Sequence, residues 1–225
     1  MSAVNHDQRA GKGSESCRIC GLGLAHPRSE QTERTYLQCD RCHGSFLASS
    51  ELPSAALERE TYDQHENDPE DPRYRRFVGH VVEPLMERLS PGASGLDFGS
   101  GDGPAGAALL RESGFEVSCY DPFYQPDKRL LDRTYDFVLC CEVAEHFHRP
   151  ATEFTRMNSL LRPGGLIGIM TAMEYSHIDF AAWHYRRDPT HVAFYKPDTM
   201  LQLARDYGWQ AMLPSRNVVI FRKED

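Results

Sequence analysis

Apolar positions along the chain fall into two registers, and glycines, prolines and charges separate them into elements. Helical spacing runs from Arg73 to Leu89, where Phe77, Val78, Val81, Val82, Leu85 and Leu89 share a face; Pro84 is expected to kink or divide that helix. Shorter helical stretches are expected over Ser54 to Tyr62, Pro104 to Glu112 and Thr199 to Tyr207, the last opened by Pro197 or Asp198. Between them stand brief apolar runs that read as buried strands: Gly95 to Phe98, Phe115 to Tyr120, Tyr135 to Cys141 and Leu166 to Ile169. A final strand pair begins at Gly208-Trp209 and ends with Val218 to Phe221. This alternation predicts an α/β sheet.

The first strand ends in Gly99-Ser100-Gly101-Asp102-Gly103 and a helix follows. Glycine lets backbone N–H groups approach a ligand closely, and the helix N-terminus adds partial positive charge. The turn therefore predicts a small-molecule cofactor site. Gly101-x-Gly103-x-x-Gly106 has the letters of a dinucleotide fingerprint. Its register is poor, because the strand ends near Phe98 and the first turn glycine is Gly99.

Four motifs in order choose between cofactors. They are Asp97 before Gly99-x-Gly101-x-Gly103; the second strand closing on Asp121; the strand Tyr135 to Cys141 running into Glu142-x-x-Glu145-His146; and Leu160-Leu161-Arg162-Pro163-Gly164-Gly165. Over about residues 74 to 225 the chain resembles class I S-adenosylmethionine (SAM)-dependent methyltransferases. The resemblance implies a Rossmann-like, mainly parallel sheet of the seven-stranded type, helices on both faces and an antiparallel last strand. It implies a SAM site built from Asp97, Phe98, Gly99, Ser100, Gly101, Gly103, Asp121, Pro122, Cys141 and Glu142, with Asp121 accepting from the ribose hydroxyls. Only 13 residues separate Asp121 from Tyr135, and Pro122, Pro126 and Asp127-Lys128-Arg129 fill much of that space. A third strand there would be vestigial, and the family's adenine contacts do not carry over.

Substrate groups belong at the C-terminal ends of the strands. Glu145, Trp183, Tyr185 and Arg187 are the candidates for holding an acceptor. His191 and His146 are the candidate general bases, because imidazole titrates near neutral pH. Each has a plain structural alternative: His146 capping a helix, His191 fixing its loop, Trp183 packing a lid, the arginines as solvated charges.

Cys17-x-x-Cys20 and Cys39-x-x-Cys42 form C-x2-C-x18-C-x2-C, within the spacing of four-thiolate zinc sites. Four thiolates close a tetrahedral shell, which predicts structural Zn2+ in a small ribbon. The 225 residues then divide into a tail and ribbon (1–50), an acidic linker (51–72) and a methyltransferase domain (73–225). A net charge of −8 argues against long nucleic-acid duplexes. No apolar run approaches the ~20 residues of a membrane span, and the polar N-terminus carries no apolar signal core, so a cytoplasmic enzyme is expected. A small-molecule acceptor is the leading expectation. The rivals are an RNA or protein methyltransferase gripping its substrate with the ribbon, a non-catalytic SAM-binding protein and an NAD-dependent oxidoreductase.

Overall fold

A computed structural model describes residues 14–30, 32–64 and 67–224. The N-terminal tail through residue 13, and residues 65 and 66 of the acidic segment, lie outside the described residues. The chain opens with four short antiparallel strands: β1 (Glu15–Ser16), β2 (Leu24–Pro27), β3 (Tyr36–Cys39) and β4 (Ser45–Leu47). Helix α1 (Ala55–Tyr62) follows, with the Ser54 hydroxyl accepting from Leu57 N–H. Helix α2 (Pro72–Met86) starts where the Asp71 carboxylate accepts from Arg73 N–H at 2.8 Å, and Pro72 needs no donor. Pro84 does not divide this helix; it sits in the last turn, and the helix ends two residues later.

The rest alternates strand and helix: β5 (Ser94–Phe98), α3 (Ala105–Glu112), β6 (Glu116–Tyr120), β7 (Tyr135–Cys141), α4 (Pro150–Leu160) and β8 (Leu161–Met170). After a long loop come the two-residue β9 (Ala193–Phe194), α5 (Pro197–Tyr207), β10 (Trp209–Ser215) and β11 (Val218–Lys223). The main sheet has the order β10-β11-β8-β7-β5-β6. Its β6, β5, β7 and β8 are parallel; β11 and β10 are antiparallel. It therefore has six strands rather than seven among the described residues. The 13 residues after Asp121 form a turn, closed by paired Asp121 and Gln125 backbone bonds of 3.0 Å, and a 3-10 segment at Lys128–Asp132. The prolines and charges that shortened the sequence there leave β6 as the sheet edge.

The ribbon is not a self-contained appendage. Its sheet is completed by β9, which pairs antiparallel with β4. Ala151 N–H at the start of α4 donates to Arg18 O at 2.9 Å, and the Arg18 guanidinium donates to His148 O. Arg41 forms a two-pronged ion pair with Asp206 on α5. Arg28, buried over the Phe180 ring, holds Glu174 through two 2.9 Å bonds. One apolar core runs from Cys17, Ile19 and Leu37 through Phe154 and Tyr195 to Trp209.

Asp97, next to last in β5, is buried and accepts from Ala107 N–H in the first turn of α3 at 3.2 Å. That bond fastens the strand to the positive end of the helix. Burial pushes the carboxyl up to about 7, against the Ala107 bond and Arg111, with nearby Asp121 adding to the rise. An unfolded aspartate ionises near 3.9. The native state therefore keeps a proton that the unfolded state loses between pH 4 and 7, and stability falls as pH rises through that window. Asp97→Asn should remove this slope: in urea titrations of ligand-free protein, the variant gains on the wild type by on the order of 4 kcal/mol between pH 4 and pH 7. Parallel stability curves for the two proteins would refute the assignment.

Candidate active site

The C-terminal ends of β5, β6 and β7 open onto one cleft of about 1030 Å³. That lies at the upper end of pockets that enclose a small organic ligand, leaving room for a cofactor and an acceptor together. All ten residues expected to contact the cofactor line it: Asp97, Phe98, Gly99, Ser100, Gly101, Gly103, Asp121, Pro122, Cys141 and Glu142. Gly99 has φ +83°, and a Cβ on it would stand 2.5 Å from Val143. A Cβ on Gly103 would stand 1.7 Å from the carbonyl oxygen of Asn67, so the segment before α2 presses directly on the turn. Asp121 shapes that turn. One carboxylate oxygen accepts from Gly101 N–H at 3.0 Å and the other from Phe123 and Tyr124 N–H at 2.8 and 3.0 Å.

Glu142 follows β7 directly at φ +52°, a conformation that costs a non-glycine residue free energy. Glu145 and His146 follow in a 3-10 turn (Ala144–His146). Glu145 is fully buried: Oε1 accepts from Tyr185 Oη at 2.6 Å, and Oε2 has no hydrogen-bond partner. The same hydroxyl lies 3.4 Å from Glu142 Oε2. Burial, then repulsion from Glu145, pushes the Glu142 carboxyl up to about 9; burial likewise raises Glu145. The His146 and His191 rings meet edge to face, with centroids 4.8 Å apart. Burial lowers His191, against the attraction of Glu145. Glu145, His146 and His191 each direct a ligand atom into one group in which all lie within 4.8 Å of one another.

Not every expected substrate residue reaches the cleft. Trp183 is not a pocket wall: it packs in a core with Phe180, Phe194 and Tyr36. Arg187 is exposed and lies off the cleft. Tyr185 also stays behind the cleft surface and acts on it through the two glutamates and His191. Sequence reasoning missed Glu58, Tyr62 and Asn67, which line the cleft from the segment read as a linker. Glu58 is buried and accepts from His148 Nε2 at 2.9 Å, and the Tyr62 ring meets His146 at 5.2 Å. The one signal, for Glu58 and Tyr62 alone, was the short helical stretch from Ser54 to Tyr62.

The four cysteine sulfurs lie together away from this cleft, buried and within 4.8 Å of one another. Cys17 and Cys42 Sγ are 3.7 Å apart, and Cys20 and Cys39 Sγ are 3.8 Å apart. A tetrahedron of Zn–S bonds of about 2.3 Å has sulfurs about 3.8 Å apart. Cys20 N–H points to Cys17 Sγ, and Arg41 and Cys42 N–H point to Cys39 Sγ, each at 3.4 Å. The donor set and its spacing fit a zinc ion.

A family model described as a methyltransferase domain matches residues 71–213. The ubiquinone biosynthesis O-methyltransferase of Aeromonas salmonicida is 30% identical over 95 residues, 41% of this chain and 39% of that protein. The protein of the same name from Colwellia psychrerythraea is 30% identical over 96 residues, 41% of this chain and 38% of that one. The chain thus matches about two-fifths of the length of these curated relatives. The solved structure of Burkholderia thailandensis 1,6-didemethyltoxoflavin-N1-methyltransferase, with 1,6-didemethyltoxoflavin and S-adenosylhomocysteine bound, shares the fold. Its TM-score is 0.56 at 17% identity, covering 89% of this chain and 100% of that one. With the strand order, the glycine turn and the strand-end acids in place, the chain belongs to the methyltransferase-domain family and has the class I methyltransferase fold.

Proposed function

We propose that the enzyme transfers the SAM methyl group to a hydroxyl oxygen of a small organic acceptor. One observation carries this reading: Glu145, His146 and His191 converge at the cleft end of β7, where an acceptor proton has somewhere to go. The name of the curated relatives, O-methyltransferase, supports it. An acid-lined cleft in a chain of charge −8 suits a cationic cofactor and a small acceptor better than a polyanion.

In this reading the turn from Gly99 to Gly103 lets its backbone approach the cofactor, with Asp97 and Ser100 supporting it. Three backbone N–H groups leave Asp121 about one acceptor site for a ribose hydroxyl. Phe98, Pro122, Cys141 and Glu142 complete the walls. SAM supplies the methyl group on a cationic sulfur. The acceptor oxygen forms a bond to the methyl carbon as the carbon–sulfur bond breaks. The bonding pair stays on sulfur, and S-adenosylhomocysteine leaves neutral. The hydroxyl proton passes to a histidine Nε2, His191 first and His146 as its rival. Most of the rate comes from aligning oxygen, methyl and sulfur, to which the base adds. The four-cysteine site, in the same reading, holds structural zinc and folds the ribbon around it.

Calorimetry with S-adenosylhomocysteine tests the cofactor site. Asp121→Ala should weaken binding by about 1.5–3 kcal/mol, since a charged acceptor is lost, and NAD should not bind. Tight NAD binding with no S-adenosylhomocysteine signal would overturn the assignment.

The acceptor atom is read from product made with 13C-methyl SAM and a small-molecule extract. A methoxy carbon resonance is expected; a methyl on nitrogen or carbon ends the hydroxyl reading. In the same assay His191→Ala should lower turnover about 10²-fold or more, with S-adenosylhomocysteine affinity within a few-fold. Full turnover would move the role to His146.

Elemental analysis should find one zinc per chain, absent from Cys39→Ser. Because β4 holds the strand beside His191, that variant should also lose turnover while the main sheet keeps its circular dichroism. Zinc-free protein with an unchanged melting curve would show that the cysteines hold no structural ion.

A further inference from the structure

Helix α1 ends on a ring that crosses the cleft. Tyr62 lines it, and its ring meets the Phe123 ring at 5.6 Å and the His146 ring at 5.2 Å, both edge to face. Phe123 stands two residues after Asp121, and the His146 ring in turn meets that of His191 at 4.8 Å. Among the described residues, no other ring touches both the turn after Asp121 and the histidine pair. The helix fixes this ring in place. One turn back, Glu58 accepts from His148 Nε2 at 2.9 Å, and Arg59 donates to Phe123 O at 3.1 Å. Residues four apart share a helix face, so Glu58 and Tyr62 are presented to the strand ends together. Burial pushes the Tyr62 phenol well up, and Glu58 and Asp188 add to the rise, so it stays un-ionised.

The two ends of this crossing have roles in the reading above: Asp121 takes a ribose hydroxyl, and His191 takes the acceptor's proton. The sulfonium of SAM has the ribose on one side and the attacking oxygen on the other. We propose that Tyr62 binds that sulfonium through the face of its ring, and thereby selects the charged methyl donor over its neutral product. This role rests on the hydroxyl reading for the place of the attacking oxygen.

An aromatic face attracts a cation within about 6 Å of its centroid, and more strongly where water is excluded. A neutral thioether gains no such attraction. The carboxylates at the strand ends also attract the cofactor, but S-adenosylhomocysteine keeps the ammonium group that they attract equally. The ring acts on the one charge that the reaction removes. Once the methyl has left, sulfur is neutral, its hold on the ring is gone, and the product is the more readily exchanged for SAM. The attraction fades as the sulfur discharges, so it belongs to binding of SAM rather than to the barrier.

Calorimetry on the full-length protein, with SAM and S-adenosylhomocysteine in separate titrations, measures this selection. Tyr62→Leu should weaken SAM about tenfold. It should leave S-adenosylhomocysteine within about twofold, which also shows that the variant is folded. Tyr62→Phe keeps the ring and should hold SAM within about threefold. Phenylalanines carrying one, two and three ring fluorines at position 62 keep the shape while draining the face of negative charge. SAM affinity should fall with each fluorine, and S-adenosylhomocysteine affinity should stay level. Equal losses for both ligands in Tyr62→Leu would make the ring a plain wall and overturn the proposal, as would a level SAM series. A methoxy product beside a level series leaves the hydroxyl reading standing without the ring's role. A methyl on nitrogen beside a falling series leaves the ring's role standing and ends that reading.

Discussion

A short run of backbone hydrogen bonds joins the two clusters of reactive side chains. Leu47 N–H, at the end of β4, donates to Val192 O at 2.9 Å, and Val192 N–H donates to Glu145 O at 2.8 Å. The Tyr195 hydroxyl donates to Ala144 O at 2.8 Å from the next turn of chain. Cys39 ends β3 and Cys42 stands just before β4; β4 holds Val192, and Val192 holds Glu145 and carries His191 beside it. Each bond contributes only about 1 kcal/mol net, but all are buried, and breaking one strands a donor or acceptor at greater cost. The position of the histidine ring is therefore set from two sides, by the ribbon through Val192 and by its own loop through Tyr185 O.

Charge supplies the second constraint. Asp97, Asp121, Glu142 and Glu145 all stand at or just past strand ends, and all are buried or half-buried. Asp121 is satisfied by backbone N–H groups of its own turn. Glu145 is not, since Tyr185 reaches one of its oxygens and leaves the other bare. A buried carboxylate without full compensation costs several kcal/mol if ionised, well above what one hydrogen bond returns. Burial raises the affinity of both neighbouring glutamates for a proton, and any cation entering the cleft relieves the same cost. A cofactor with a sulfonium and an ammonium group suits such a site.

The parallel strands, the glycine turn and the paired cysteines were legible because each rests on local chemistry. Gly99 and Gly103 mark where no side chain fits, and Cys-x-x-Cys sets two sulfurs on one knuckle. The pairing of β9 with β4 was not legible. It joins two residues of a loop to three of a ribbon almost 150 positions earlier, and neither run has a strand's length or alternation. Trp183 misled for a related reason. An aromatic in a basic loop reads as a pocket wall until the ribbon covers it, and Tyr36 and Phe194 then make its site a core. The histidine tautomers were beyond sequence altogether, since they depend on carbonyls of Thr190 and Tyr185 whose direction only the folded loop decides.

The same logic explains how the fold manages without a third strand. Removing it exposes β6 and the turn after Asp121, on the side where a cofactor would be wet. Helix α1 covers that side. Arg59 donates to Phe123 O at 3.1 Å and lies over the Tyr124 ring, Tyr124 Oη donates to Asp63 at 2.7 Å, and Tyr62 packs edge-on against Phe123. Further along, Asn67 presses on Gly103, and Glu58 holds His148 beside the histidine pair. An acidic, proline-punctuated segment thus takes over work that a strand and helix of the sheet would otherwise do. The residues before α2 close one end of the cleft with α1 and brace the other with β4, so the described N-terminal third is as much a part of the cleft as the strand ends that open onto it.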